Sequence, residues 1–292
     1  MLIKTPEEIK KLQEGGKIIG GILSKLGKMA QVGVTTHAID VAAEEMIIAA
    51  GGRPAFKGYM TRPDDPPFPC TICASRNHEL VHGIAKKTDV LQPGDIFSID
   101  IGMEYPVGKS QISNSKSQIN HKSQITNLKS QITRGWFTDT AITVAVGEID
   151  PRTRELMRVT RQALEVGIRA VKPGKSVAEI GRAIETYVKS QGKYGIVRDL
   201  VGHGVGHEVH EEPRVPNYYD KSLEKFILKP GMVIAIEPMI SLGGHDVATG
   251  PDGWTIEMSD GSMCAHSEHT VVVTRFGRTV ITRRPGERFE KI

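Results

Sequence analysis

An internal duplication constrains this chain more than any other feature. "GVTTHAIDVAAEEMIIAAGG" starts at Gly33 and is answered by "GKSVAEIGRAIETYVKSQGK" from Gly174. Gly33/Gly174, Thr35/Ser176, Ile39/Ile180, Ala42/Ala183 and Gly51/Gly192 match in step. Further on, "LQPGDIFSID" (91–100) is answered by "LKPGMVIAIE" (228–237), and between the helix and strand motifs "VHGI" (81–84) faces "GHGV" (202–205). The order helix, His-Gly, Leu-x-Pro-Gly, strand, carboxylate therefore occurs twice. Two similar halves around an approximate two-fold axis follow, with strands of both halves meeting at the centre and helices outside. This is an α+β arrangement in a single domain, 1–292.

Local signals fill in the elements. Thr5 can cap a first helix, with Pro6 at its first position and Glu7 and Glu8 at the positive end of its dipole. A second helix is predicted from about Thr36 to Gly51-Gly52, a third over 152–171, and a fourth to about Gly192, opened by a Ser176/Glu179 capping box. "DIFSIDIGM", "TAITVAVGE", "GMVIAIEPMI" and "HTVVVTRFG" read as strands.

One stretch departs from this pattern. Four copies of Lys-Ser-Gln-Ile begin at Lys109, Lys116, Lys122 and Lys129. Residues 107–134 read as a low-complexity insertion in a hairpin loop, polar and expected to project into solvent. Its Lys109, Lys116, Lys122, Lys129 and Arg134 also account for the basic balance, since removing them takes the formal charge from +4 to −1. The rest of the chain makes no electrostatic case for a specific nucleic-acid partner. No apolar run is long enough to span a bilayer, and the N-terminus lacks a signal peptide's apolar core, so a cytoplasmic protein without a membrane partner is expected. Cys70, Cys73 and Cys264 are too few for a disulfide framework and read as reduced thiols.

Five groups that can bind metals sit inside apolar or glycine-rich strands: Asp100 in "FSID", Asp139 in "GWFTDTAITV", His203 in "LVGHGVG", Glu237 in "IAIEPM" and Glu268 in "HSEHTVVV". Any one could be a strand-end group satisfied by backbone N–H donors. Five in one chain, two of them placed by the duplication, favour a shared site, because a buried carboxylate is costly unless paired. His203, His207 and His210 do not read as a helical zinc cluster, since Gly202, Gly204 and Gly206 argue against a helix there.

The stretches "ICASRNHELVHGI", "LQPGDIFSIDIG", "GWFTDTA", "GHGVGHEVHEEP", "LKPGMVIAIEPM" and "DGWTIEMSDGSMCAHSEHTVVVT" resemble the type I methionine aminopeptidases of the pita-bread fold, metallopeptidase family M24. The resemblance covers almost the whole chain outside about 107–134. It implies two pseudo-symmetric halves with a central antiparallel sheet. It also implies that Asp100, Asp139, His203, Glu237 and Glu268 hold two divalent ions, Co, Mn, Fe(II) or Zn, with Asp139 and Glu268 bridging. An oxygen-rich set with one imidazole suits Mn, Fe(II) or Co better than a thiolate zinc site. Four carboxylates and two divalent ions would also balance in charge. By the same resemblance His82 and His210 contact the substrate, and Glu237 can also shuttle a proton. Cys73 lines a methionine pocket, with Tyr59, Phe56 and Trp254 as further walls. His207 is given no role. The small Val209 stands where the family has a bulkier residue.

The implied activity is removal of the N-terminal methionine of nascent polypeptides when the second residue is small. The ribosome is a secondary partner and a monomer the default. The alternatives are a proline-specific peptidase of the same fold, against which Asp100 comes early in the chain, and a non-catalytic binding protein, against which all five ligands are kept. The 27-position step from His210 to Glu237 leaves no room for the helical piece of type II enzymes.

Overall fold

The computed structural model describes residues 2–60, 66–107 and 135–288. Four long helices are present: α1 (Pro6–Met29), α2 (Thr36–Ala49), α3 (Pro151–Ala170) and α4 (Ala178–Gln191). Seven strands position the site: β1 (Ile72–Arg76), β2 (Ile96–Tyr105), β3 (Trp136–Ala145), β4 (Gly202–Gly204), β5 (Glu211–Val215), β6 (Val233–Ile236) and β7 (His269–Thr274). Shorter strands connect them, and the described pairings are antiparallel.

α1 begins as expected. Thr5 Oγ1 accepts the Glu8 N–H and the Glu8 carboxylate accepts the Thr5 N–H at 2.7 Å, a reciprocal capping box. The face carrying Ile19, Leu23 and Leu26 is fully buried with Ile39 and Ile47 of α2 and with Ile72, Phe97, Ile99 and Ile101 of the first-half strands. In the second half, Leu156, Val159 and Ile168 of α3 and Ile180 and Ile184 of α4 form an equivalent core with Ile234, Ile236 and Val271. Each half is thus a helix pair packed on antiparallel strands, with its own apolar core.

The duplication is present in the hydrogen bonds themselves. Gly33 N–H donates to Leu91 O and Gly174 N–H to Leu228 O, both at 2.9 Å. Thr35 bridges Val90 as Ser176 bridges Ile227. Gly94 and Gly231 turn the chain at φ 95° and 92°, a left-handed conformation that favours glycine. Each turn delivers its strand, β2 or β6, toward an acidic residue, Asp100 or Glu237.

The Ser176/Glu179 capping box does not form. α4 starts at Ala178 with no side-chain cap. Ser176 is engaged in its bridge to Ile227 and buried, and Glu179 turns instead to Arg182, 3.3 Å away. Val177 is already in the helical region, at φ −59° and ψ −34°, so the extended capping residue that Thr35 supplies to α2 has no counterpart here.

The halves join along β3 and the 264–274 segment, largely through threonine hydroxyls. Thr143 Oγ1 donates to His266 O and accepts the His266 N–H, both at 2.9 Å. Thr140 Oγ1 donates to Glu268 O at 2.8 Å, and Glu268 N–H donates to Ala141 O at 3.0 Å. Thr270 Oγ1 accepts the Asp139 N–H at 3.2 Å and donates to Asp139 O at 2.8 Å. The hydroxyls do what a backbone ladder would do elsewhere, and they bring Asp139 and Glu268 together.

The hairpin of β2 and β3 keeps a continuous register from Ile96↔Ala145 to Tyr105↔Trp136. Its end is closed by Glu104, which accepts the Gly135 N–H at 2.8 Å and pairs with Arg53. Val107 was expected at the start of the insertion. It is buried, and its N–H donates to Gly51 O at 3.2 Å, so it belongs to the fold. Residues 108–134, which hold the Lys-Ser-Gln-Ile repeats, lie outside the described residues. Deleting 108–134 leaves a short loop between register-matched strands. The deletion protein is expected to melt within about 5 °C of the parent or above it, because shortening a loop lowers its closure entropy cost only logarithmically. It is also expected to keep its divalent-ion binding; a folded deletion protein without that binding would show that the repeats help build the site.

Candidate metal centre and active site

A cavity of about 330 Å³ opens where the halves meet. It is lined by Asp100, Asp139, His203, Glu237 and Glu268, by His82 and His210, and by Cys73, Tyr59, Phe56 and Trp254. Every site residue expected from the sequence faces it. A larger, more open groove of about 760 Å³ adjoins at Tyr59 and touches none of the five acidic and imidazole groups.

Sheet register explains the convergence. Asp100 lies opposite Ala141 on β3, and Asp139 lies opposite Gly102 on β2. Side chains two apart on a strand share a face, so both carboxylates point to one side as diagonal neighbours. Cys73 on β1 pairs with Asp100, which places its thiol against that carboxylate. On the second half, His269 opposite Ile236 sets Glu268 beside Glu237.

One ligand atom each from Asp139, His203 and Glu268 lie within 4.8 Å of one another. His203 Nε2 is 3.4 Å from Asp139 Oδ2 and 3.5 Å from Glu237 Oε1. Its Nδ1 lies 2.9 Å from Gly204 O. A proton on Nδ1 satisfies that carbonyl and leaves the Nε2 lone pair aimed at the carboxylates, the usual orientation of a metal-binding imidazole.

The electrostatics are those of a site built for cations. Burial pushes Asp100 up to about 7 and Glu237 up to about 8, with neighbouring Asp139 adding to both. Burial, then Asp139, Asp100 and Glu237, raises Glu268 well above the usual range. Asp139 is raised by burial although His203 and the Thr270 hydroxyl, 3.0 Å from its Oδ1, act the other way. Asp100 Oδ1 is buried without a hydrogen-bond partner. An orphaned carboxylate oxygen among like charges is costly, and a divalent ion would relieve it. Four carboxylates and one imidazole fit an oxygen-preferring divalent cation.

His82 and His210 are neutral donors or acceptors. Burial holds His82 down to about 4, and burial with His203 and His82 holds His210 down to about 3. Tyr59 Oη lies 3.0 Å from His210 Nδ1, and burial keeps the phenol protonated. With the phenol donating to Nδ1, the His210 proton resides on Nε2. His82 sits at φ 57°, unusual for a non-glycine residue. It is locked by Gly83, where a Cβ would come within 2.3 Å of Ala74 O.

Apolar side chains line the rest of the cavity. Phe68 and Trp254 meet edge to face at 5.3 Å, and Met239 adds a thioether-bearing wall. Phe68 and Met239 were not singled out from the sequence, where each reads as ordinary core. His266 was also missed. Its Nε2 is 3.6 Å from Glu237 Oε2, and both ring nitrogens are buried without hydrogen-bond partners. The signal was its position two residues before Glu268. His207 lies outside the cavity, against the Trp136 ring at 4.8 Å. The three cysteines are free and buried, as expected.

The profile described as metallopeptidase family M24 matches residues 10–115 and 112–275. The chain belongs to metallopeptidase family M24. Among M24 relatives, it is 38% identical over 283 residues to methionine aminopeptidase 1 of Bacillus subtilis, covering 97% of this chain and 99% of that protein. It is 37% identical over 282 residues to the methionine aminopeptidase of Clostridium acetobutylicum, covering 97% and 98%. The crystal structure of methionine aminopeptidase from Thermotoga maritima superposes with a TM-score of 0.82 at 36% identity, over 97% of this chain and all of that one. The prolidase of Pyrococcus horikoshii shares the pita-bread fold, at a TM-score of 0.68 and 22% identity; this chain covers 65% of it. Membership of M24 implies divalent metal ions. Among the described residues no helix is long and apolar enough to cross a membrane.

The raised carboxyls make the chelated protein pH-sensitive. A carboxyl whose folded value is raised contributes stability that is complete below its unfolded value, near 4, and is lost as pH rises through the folded value. His82 and His210, depressed in the fold, contribute stability complete above about 6.5. Between pH 6.5 and 8.5 only the carboxyls therefore impose a slope. The melting temperature of chelator-treated protein is expected to fall across that window, and divalent ions to remove the fall. A flat chelated profile would contradict the buried-carboxyl account.

Proposed function

We propose that the chain is a methionine aminopeptidase, removing an N-terminal methionine when the second residue is small. One observation carries this reading: a single cavity is lined both by four carboxylates and by Cys73, Phe56, Phe68 and Trp254. A cationic amine and an uncharged thioether side chain are the two ends of an N-terminal methionine. The names and near-complete coverage of the relatives support it.

In this reading Asp100, Asp139, His203, Glu237 and Glu268 would hold the divalent ions. Ions so held would act as Lewis acids toward the scissile carbonyl and an attacking water. Glu237, beside His203, is placed to take a proton from that water and return it to the leaving amine. The His210 Nε2–H donates to the oxygen that gains charge, and His82 binds the scissile amide. Cys73 and the aromatic walls hold the methionine side chain, the soft sulfur lying against the thiol and ring edges. Nascent polypeptides emerging from the ribosome in the cytoplasm are the natural substrates. A monomer suffices, because both halves of the cleft come from one chain.

Met-Ala-Ser is expected to be cleaved and Met-Lys peptides to resist, measured as released methionine. Equal rates on both, or preferential cleavage of X-Pro peptides, would overturn the assignment. Among variants, Glu268→Gln and Asp139→Asn are expected to abolish binding of two ions by titration calorimetry, with activity reduced at least about a thousandfold. His210→Ala is expected to keep both ions and still slow turnover. Normal two-ion binding in Glu268→Gln would show the ligand assignment to be wrong.

A further inference from the structure

His210 leads directly into β5, whose first residue is Glu211. The Glu211 carboxylate does two things. Its Oε1 accepts the N–H groups of His207 at 2.5 Å and Glu208 at 3.1 Å, closing the loop between His203 and His210. Its Oε2 lies 2.6 Å from Lys4 Nζ, and that pair is buried, with side chains 1% and 11% exposed. Lys4 belongs to the segment ahead of α1, where Ile3 bridges Met232 and the Lys4 N–H donates to Gly231 O at 2.8 Å. Its side chain passes over Gly206, where a Cβ would come within 2.5 Å of Lys4 Cε. Glu211 in turn pairs with Gly204, next to His203.

The ammonium thus reaches the histidine loop from a segment anchored to the second-half sheet, without touching the cavity. The reaction as described makes no use of it. A buried ion pair of this kind is weak evidence for stability and stronger evidence for fixing a geometry. We propose that Lys4 and Glu211 form a positioning pair that sets the His210 imidazole against the substrate, so that the N-terminal segment tunes turnover from outside the cavity. This rests on the reading of His210 as a substrate contact. Tyr59 fixes the ring through Nδ1, and the pair fixes the backbone that carries it.

The test is a double-mutant cycle on metal-loaded, full-length protein with Met-Ala-Ser as substrate. Lys4→Met is expected to lower kcat about tenfold or more with KM within about twofold and both ions still bound. Lys4→Arg should recover most of the loss. In a His210→Ala background, Lys4→Met should change kcat by less than about twofold, because the pair acts through that ring. An equal loss in both backgrounds overturns the proposal, since a general structural role would be additive. Should Lys4→Met fail to fold, Glu211→Gln runs the same cycle, as it keeps an acceptor for the loop N–H groups while losing the charge; an additive loss there also overturns the proposal. A His210→Ala protein with unimpaired kcat overturns both this proposal and the role of His210, and so identifies the functional reading as the one at fault.

Discussion

Four carboxylates buried within one cavity are the constraint on which the rest of the structure depends. Each costs desolvation, Asp139 raises the other three, and the protein offers them few donors. Such a cluster cannot hold itself together. Strands locked by other means must hold it, and the threonine junction does this. Thr140, Thr143 and Thr270 place their hydroxyls on backbone atoms flanking Asp139 and Glu268, leaving the Asp100 Oδ1 and much of the cluster for a cation. The apolar cores of the two halves lie outside this junction, so the strain of like charges is opposed from both sides. This is local destabilisation retained for function and supported by the surrounding fold.

The duplication shows how such a site is assembled. Asp100 and Glu237 occupy equivalent positions after equivalent turns, and neither half alone supplies the set. That much was legible in the sequence, because its signals are local: a Pro-Gly turn, a short apolar strand, an acidic residue at the end. The same locality explains the failures. The Ser176/Glu179 pattern reads as a cap until the helical backbone of Val177 is known. The contact of Cys73 with Asp100 depends on the register of β1 against β2, two strands separated by a turn and a further short strand. His266 joins the cluster by packing across the junction from the second half. Val107 reads as part of a polar insertion until its N–H is found on Gly51 O. Pattern singled out the five acidic and imidazole groups, and the family resemblance added His82, His210 and the cavity walls; only the tertiary pairing shows what holds them.

The cavity's carboxylates also explain why His82 and His210 must be uncharged. A protonated His82 or His210 would repel both a substrate ammonium and the cations that the carboxylates favour. Burial removes that charge, and with the Tyr59 hydroxyl donating to Nδ1 the His210 proton is left on Nε2. The donors are therefore fixed before substrate arrives, which is the condition for electrostatic stabilisation without reorganisation. The carboxylates would hold a free amine beside the apolar walls, a pairing that favours a chain terminus over an internal peptide bond.

Residues 108–134 separate the two strands of the hairpin without disturbing the alignment of Asp100 and Asp139, for a related reason. The two carboxylates take their alignment from the ladder of β2 and β3, which runs unbroken to Tyr105↔Trp136. Beyond that rung, Glu104 clamps Gly135 and Arg53, and Val107 is tied to Gly51. The register is thus set by the strands and their clamp, and the length of the connection beyond them is free to vary. Loop closure adds an entropy term that grows slowly with length, and the ladder's many hydrogen bonds and buried side chains outweigh it. Had Asp100 and Asp139 been aligned by the turn itself, as in a two-residue hairpin, an added residue would have slipped the register and sent one carboxylate to the opposite face. The clamp at Glu104 separates the geometry of the site from whatever the chain carries between its two halves of the hairpin.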